Sequence, residues 1–191
     1  QDYSNFEIIV VDDGSTDSTK KEFLSIKDKR VNYCYIQNSE RGAARNFGIR
    51  LAKGDYINFC DSDDYVYKNH LTFACKFIAE KKSSVFHTGY NIISNDKVEF
   101  SENSSGILNE SILKGNILHL SGVFLKREVA LKYPFVENRD LSGSEDWLQW
   151  LLLSANYDIL GSKEITSAYV LHGDNSMLLA NGENTFKRDR K

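Results

Sequence analysis

Apolar and polar segments alternate along the chain in an order that predicts its elements. Residues 7–11, EIIVV, form a continuous β-branched run that ends in Asp12, Asp13 and Gly14. Continuous rather than alternating apolarity predicts a strand covered on both faces, as in a parallel sheet. In STDSTKKEFLSIKDK (15–29), Thr19 and Glu22 have capping-box spacing and Phe23 and Ile26 give an apolar stripe, which predicts a helix of about three turns. VNYCYI (31–36) is a second strand by its aromatic and β-branched content. RGAARNFGIRLAKG (41–54) reads as a helix closed by Gly54 at the C′ position. DYINFC (55–60) is a third strand, Leu71, Ala74, Cys75 and Ile78 recur at helical spacing, and SVFHTGYNII (84–93) is a fourth strand.

Strand and helix thus alternate through the first half, which predicts an α/β domain with a mixed, mostly parallel sheet flanked by helices. The second half is less regular. Residues 94–116 are polar and rich in Asn, Ser and Gly, and read as a hairpin plus loops. LSGVFLKREVALKY (120–133) is a strand running into a short helix that stops at Pro134, the only proline. SGSEDWLQWLLLSAN (142–156) is a helix with Ser144 as N-cap and Trp147, Leu148, Leu151 and Leu152 as its core stripe. EITSAYVLHGDNSM (164–177) is a final strand followed by a loop. With no repeat or linker in view, residues 1–191 read as one domain, with a regular half (1–93) and a less regular half with a C-terminal tail (94–191).

Composition narrows the classes. The chain has 191 residues, 41% hydrophobic and 27% charged, which suits an ordinary globular core. A net charge of -3 argues against a nucleic-acid binder held by bulk charge. No apolar run approaches the ~20 residues of a membrane span, and no signal-peptide pattern opens the chain. Cys34, Cys60 and Cys75 are odd in number and lack C-x-x-C spacing, so buried free thiols in a reducing compartment are expected. The chain opens QDYSNFEIIVVDD without Met, its only Met being Met177, and reads as a fragment with something upstream.

The candidate chemistry sits in FCDSDDYV (59–66), where Asp61, Asp63 and Asp64 crowd into four positions after an apolar run. Ligands of open parallel sheets bind beyond the carboxyl ends of the strands, so Asp12–Asp13 and Asp61–Asp64 should share one sheet edge. Crowded carboxylates there are costly without compensation. A hard divalent cation, Mn²⁺ or Mg²⁺, would provide it, since both favour carboxylates plus substrate phosphate oxygens. VVDDGSTD (10–17) is open to two readings, a turn with an N-cap or an Asp13 that accepts from a nucleobase N–H.

FEIIVVDDGSTDST, ERGAARNFGIRLAKGDYINFCDSDD and GSEDWLQWLLL, in this order and at these separations, resemble the inverting family 2 glycosyltransferases of the GT-A fold, over residues 1–155. The resemblance implies transfer of a sugar from a nucleotide-sugar donor, most often a UDP-sugar, to an acceptor hydroxyl of a glycan or lipid-linked molecule. It implies that Asp13 contacts the base and that Arg45 lies near the donor. Asp61, Ser62 and Asp63 would form the Asp-x-Asp motif with Asp64 beside it; Asp63 and Asp64, with Asp61, would hold the metal, and how the three divide metal and ribose stays open. Asp146 would be the catalytic base, with Glu145 pointing elsewhere on the helix. An Asp at a helix start is favoured in its ionised form, which suits a base. His172 is a candidate for the metal or diphosphate, with a structural role as the alternative; His70, His87 and His119 show no ligand spacing. Trp147 and Trp150 are expected in the core. The chain departs from the family in lacking the Pro-x-Tyr-Asn-like strand and helix that precede QDYSNFEI. Acceptor choice is expected in the loops 94–116 and 136–144. The basic run 187–191 is expected to fray, to lead into a further region, or to lie on an anionic membrane surface, so the expected location is the cytoplasm or the inner face of the membrane. A nucleotidyltransferase and an inert scaffold are the rival readings.

Overall fold

The computed structural model describes residues 1–141 and 143–172. The expectations for Met177, for the loop beyond residue 172 and for the run 187–191 lie outside the described residues.

β1 (Ile8–Asp13) and β2 (Val31–Ile36) pair in parallel, and α1 (Thr19–Ser25) connects them. α2 (Glu40–Leu51) packs back on β1. β3 (Tyr56–Asn58), β4 (Tyr65–Val66), α3 (His70–Lys81), β5 (Val85–Ser94), β6 (Lys97–Glu102), β7 (Gly106–Ile107) and α4 (Asn109–Ile112) follow. A 3-10 turn (Leu120–Gly122) leads into β8 (Val123–Lys126) and α5 (Arg127–Lys132), and α6 (Glu145–Ser154) and β9 (Ile159–Leu171) complete the described chain. A seven-stranded sheet runs in the order β3-β8-β5-β9-β4, with β6 beside β5 and β7 against β9. β8 is antiparallel to β3 and β5, and β5 is parallel to β9, so β3, β5 and β9 share one direction with β8 reversed among them. This is the mixed α/β sheet, flanked by helices, that the alternating pattern predicts.

The central strands explain their own apolar runs. Val85 on β5 and Val123 and Leu125 on β8 enter a core built with Ile49, Ile112, Trp150, Leu153 and Ile159. Their neighbours Phe86 and Phe124 point to the other face, stack at 4.9 Å, and meet Ala74 of α3. Both faces of these strands are dry, so no polar alternation survives.

β1 departs from its expectation. Ile8 is 43% exposed and only Asp12 of the strand is buried, because β1 and β2 form a ladder separate from the large sheet and α1 buries nothing. Local details also differ. α1 has seven residues and starts after Ser18; the side chain that reaches Glu22 is Ser18, at 2.7 Å, rather than Thr19. α2 ends at Leu51, three residues before Gly54, because the side chain of Glu7 accepts the N–H groups of Lys53 (2.6 Å) and Gly54 (3.2 Å). The third strand is three residues long rather than six. α6 turns Glu145, Gln149, Trp150 and Leu153 inward, while Leu152 is 44% exposed. Its buried face carries two polar residues that have partners inside, which an apolar stripe cannot reveal. The cysteines are free, but none is fully buried and Cys60 is exposed.

Candidate active site

The candidate residues fall into two groups: those at the end of β1, which lies on its own two-stranded ladder rather than sharing one sheet edge with the acidic cluster, and those at the end of β3 and the start of α6. At the end of β1, Asp12 turns inward, where its carboxylate accepts the Ser15 N–H at 2.7 Å and the Tyr33 hydroxyl. Burial works against its charge, yet the Tyr33 and Ser15 hydrogen bonds hold its carboxyl below the ordinary range. Burial and the Asp12 charge push the Tyr33 hydroxyl up to about 12. Asp13 turns the other way and accepts the Ser39 N–H at 2.7 Å. Gly14 permits this crossing: its φ is +86°, and a Cβ there would sit 3.0 Å from the Asn38 nitrogen.

At the end of β3, Asn58 donates to the carbonyls of Ser121 and Val123, both at 2.8 Å, and its oxygen meets His70 at 3.1 Å. Burial drives the His70 pKa down to about 4, so it is a neutral structural imidazole. The chain then turns through the acidic cluster. Asp61, Asp63 and Asp64 each present one carboxylate oxygen, all within 4.8 Å of one another. Their surroundings separate them. Asp61 takes the Arg45 guanidinium at 3.1 Å, and Asp63 faces His172 Nε2 at 2.9 Å. Asp64 is nearly sealed at 3% side-chain exposure. One of its oxygens accepts the Val170 N–H at 3.0 Å and the other meets His119 Nε2 at 3.0 Å. The chemistry of the set, half-exposed carboxylates of Asp61 and Asp63 beside one imidazole, fits a hard or borderline cation such as Mn²⁺.

RGAARN, on α2, joins this cluster to α6. Gly42 lets the helix lie against Val136, whose carbonyl oxygen would be 2.1 Å from a Cβ at residue 42. Asn46 brackets Phe135, donating to its carbonyl and accepting its N–H, both at 2.9 Å. Arg45 then reaches Glu145 at 2.7 Å as well as Asp61, with a side chain 10% exposed. Glu145 also accepts the Gly143 N–H at 2.6 Å. Burial opposes its charge, but Arg45 holds its carboxyl below the ordinary range.

Asp146 projects from the adjacent position of α6 towards Asn116, which donates to it at 3.1 Å, and it accepts the Trp147 N–H at 2.7 Å. Burial pushes its carboxyl above the ordinary aspartate range; Asn116 and Trp147 pull the other way. Desolvation therefore outweighs the helix-terminus effect expected from sequence. Trp147 is tied by its indole N–H to the Ile112 carbonyl at 2.9 Å, while Trp150 fills the core. Sequence reasoning missed Asn116, His119 and Glu145 as members of the site. Glu145 alone carried a local signal, a carboxylate on the buried stripe of an otherwise apolar helix; Asn116 and His119 meet their partners only through the fold.

Comparison with known proteins gives the fold and the family. The crystal structure of S. aureus TarS residues 1–349 in complex with UDP superposes with a TM-score of 0.72 at 26% identity, over 90% of this chain and 53% of that one. The fold is thus that of a GT-A glycosyltransferase domain. Residues 1–130 match the family model "Glycosyl transferase family 2", and the chain belongs to that family. An uncharacterized glycosyltransferase of Rickettsia felis is 34% identical over 185 residues, 93% of this chain. The chain spans 30% of that relative's length. Escherichia coli WfaP, named as a UDP-Glc:alpha-D-GlcNAc-diphosphoundecaprenol beta-1,3-glucosyltransferase, is 31% identical over 178 residues, 90% of this chain and 68% of the relative. Among the described residues no helix is long and apolar enough to cross a membrane.

Proposed function

We propose that this glycosyltransferase domain moves a sugar from a UDP-sugar to a hydroxyl of a glycan or lipid-linked acceptor with inversion, in polysaccharide or glycoconjugate synthesis. One observation carries the reading: Arg45 bridges Asp61 and Glu145, tying the acidic cluster to the helix start that bears Asp146. A donor-holding carboxylate and the helix turn that carries the buried base thus share one ion-paired arginine. UDP in the TarS crystal and the UDP-glucose and diphosphoundecaprenol in the WfaP name support the donor and acceptor classes.

In this mechanism Asp146 takes the proton of the acceptor hydroxyl as the oxygen attacks the anomeric carbon, and the nucleoside diphosphate leaves on the opposite side. Its raised pKa makes it a stronger base than an exposed aspartate, and general-base help is worth ~10²–10⁴-fold. Asp13 accepts from the nucleobase. Asp63 and His172, with Asp61, would hold the cation; Mn²⁺ or Mg²⁺ bound there would offset the charge developing on the leaving diphosphate. Arg45, which bridges Asp61 and Glu145, lies near the donor. Residues 1–93 serve the nucleotide and the following half serves the acceptor. A lipid-linked acceptor would bring the domain to the cytoplasmic face of a membrane as a peripheral protein.

The test is product analysis of the full-length protein with labelled UDP-sugars, Mn²⁺ and a lipid-linked acceptor. Release of UDP with labelled, inverted product is expected. Pyrophosphate release would make it a nucleotidyltransferase, and no binding of UDP would make it an inert scaffold.

A further inference from the structure

Residues 116–119, NILH, run from α4 to the 3-10 turn and touch both ends of the site. Asn116 donates to Asp146 at 3.1 Å, and His119 Nε2 lies 3.0 Å from the Asp64 carboxylate. The segment is held against sliding. Leu118 between them is 3% exposed, and the His119 N–H donates to His87 Nε2 at 3.1 Å on the central strand β5. The His119 ring also packs against Tyr90 and Tyr169, with centroids at 4.9 and 5.3 Å. Asp64, gripped by His119, passes the constraint on: its second oxygen accepts the Val170 N–H, two residues before His172. A carboxylate with both oxygens committed and 3% exposure is poorly placed to be a cation ligand itself.

We propose that this segment is a positioning strut for the reaction: His119 holds Asp64, and through Val170 sets the approach of His172 to Asp63, while Asn116 aims the Asp146 carboxylate. Asn116, His119 and Asp64 are then positioning residues. The inference rests on the cation reading given above. Partners that orient metal ligands without touching the metal typically cost 10–100-fold in affinity when removed.

The test uses the full-length protein with UDP. Mn²⁺ is titrated calorimetrically into wild type, Asp63→Ala, His119→Phe and Asn116→Ala, and UDP binding without metal verifies that each site is folded. His119→Phe keeps the packed ring and removes the donor; its Mn²⁺ Kd is expected to rise about tenfold. His119→Gln restores a donor and is expected to stay within about threefold of wild type. Asn116→Ala is expected to leave the Mn²⁺ Kd unchanged, lower kcat about tenfold and leave the donor KM unchanged, because its side chain donates its hydrogen bond to the base. If His119→Phe binds Mn²⁺ as wild type does while Asp63→Ala does not, the strut is wrong and the cation reading stands. If Asn116→Ala keeps its kcat, the strut is also wrong. If wild type takes up no Mn²⁺, both readings fall together.

Discussion

Replacing Arg45 with Met removes a cation while keeping much of its volume. Two carboxylates lose their partner, and exposure decides which loss counts. The Asp61 side chain is 41% exposed, so water takes over and that end contributes little. The Glu145 side chain is 4% exposed and receives Arg45 at 2.7 Å, with the Gly143 N–H as a further donor at 2.6 Å. Stripping one partner from a buried pair costs about 3–5 kcal/mol, because the remaining charge is left uncompensated. That is a large share of the ~5–15 kcal/mol that holds a domain of this kind together. Urea unfolding of wild type and Arg45→Met at pH 7 is expected to differ by about that amount. The pH dependence identifies the cause. In wild type the lowered Glu145 pKa contributes stability that is present above the unfolded carboxylate value and lost as pH falls through the folded one. In Arg45→Met burial raises the same pKa, so the deficit is greatest at neutral pH and shrinks as acid neutralises Glu145. Adding Glu145→Gln to Arg45→Met should recover about half of the loss at pH 7. A deficit below ~1 kcal/mol, or one that is the same at pH 7 and pH 5, would refute the ion-pair account.

Asp146→Asn should bind UDP-sugar normally and lose ~10²–10⁴-fold in kcat, measured by product formation. In wild type the rate should fall as pH drops through the raised Asp146 pKa, placing the acid limb of the profile above the ordinary aspartate range; an acid limb at or below that range would remove Asp146 from the role. Gly42→Ala puts a Cβ 2.1 Å from the Val136 carbonyl oxygen, so thermal unfolding should show a loss of roughly 2–3 kcal/mol, and a neutral result would mean that the 135–137 segment shifts freely. EDTA should abolish transfer and Mn²⁺ restore it, with His172→Ala needing about tenfold more Mn²⁺ for half-maximal rate; chelator-resistant turnover would contradict the cation assignment.

Much of the fold was legible from periodicity. The runs at 31–36 and 84–93 became strands within a residue or two because β-branched and aromatic content, continuous apolarity and flanking polar turns all agree there. The misses have a common cause. The apolar stripe of α6 and the end signal of α2 say nothing of inward polar groups, yet their inward faces include Asn46, Glu145 and Gln149, each satisfied by a partner about 16 to 100 residues away. Local patterns cannot encode such partners. β1 failed the other way: its apolar run implies two covered faces, and coverage is a property of neighbours rather than of the strand.

By itself the sequence determined which chemical groups exist and in what order: the strand-end carboxylates, the helix that starts with Glu145 and Asp146, and the glycines that allow close passage. Only the tertiary structure decided how those groups divide the work. Asp61, Asp63 and Asp64 are neighbours in the chain, yet one meets Arg45, one meets His172 and one is sealed against His119 and Val170. The reason is dielectric and geometric. A carboxylate's role depends on its exposure and on which donors converge on its oxygens, and those donors come from α2, from the end of β9 and from residues 116–119, which only the folded sheet brings to one place.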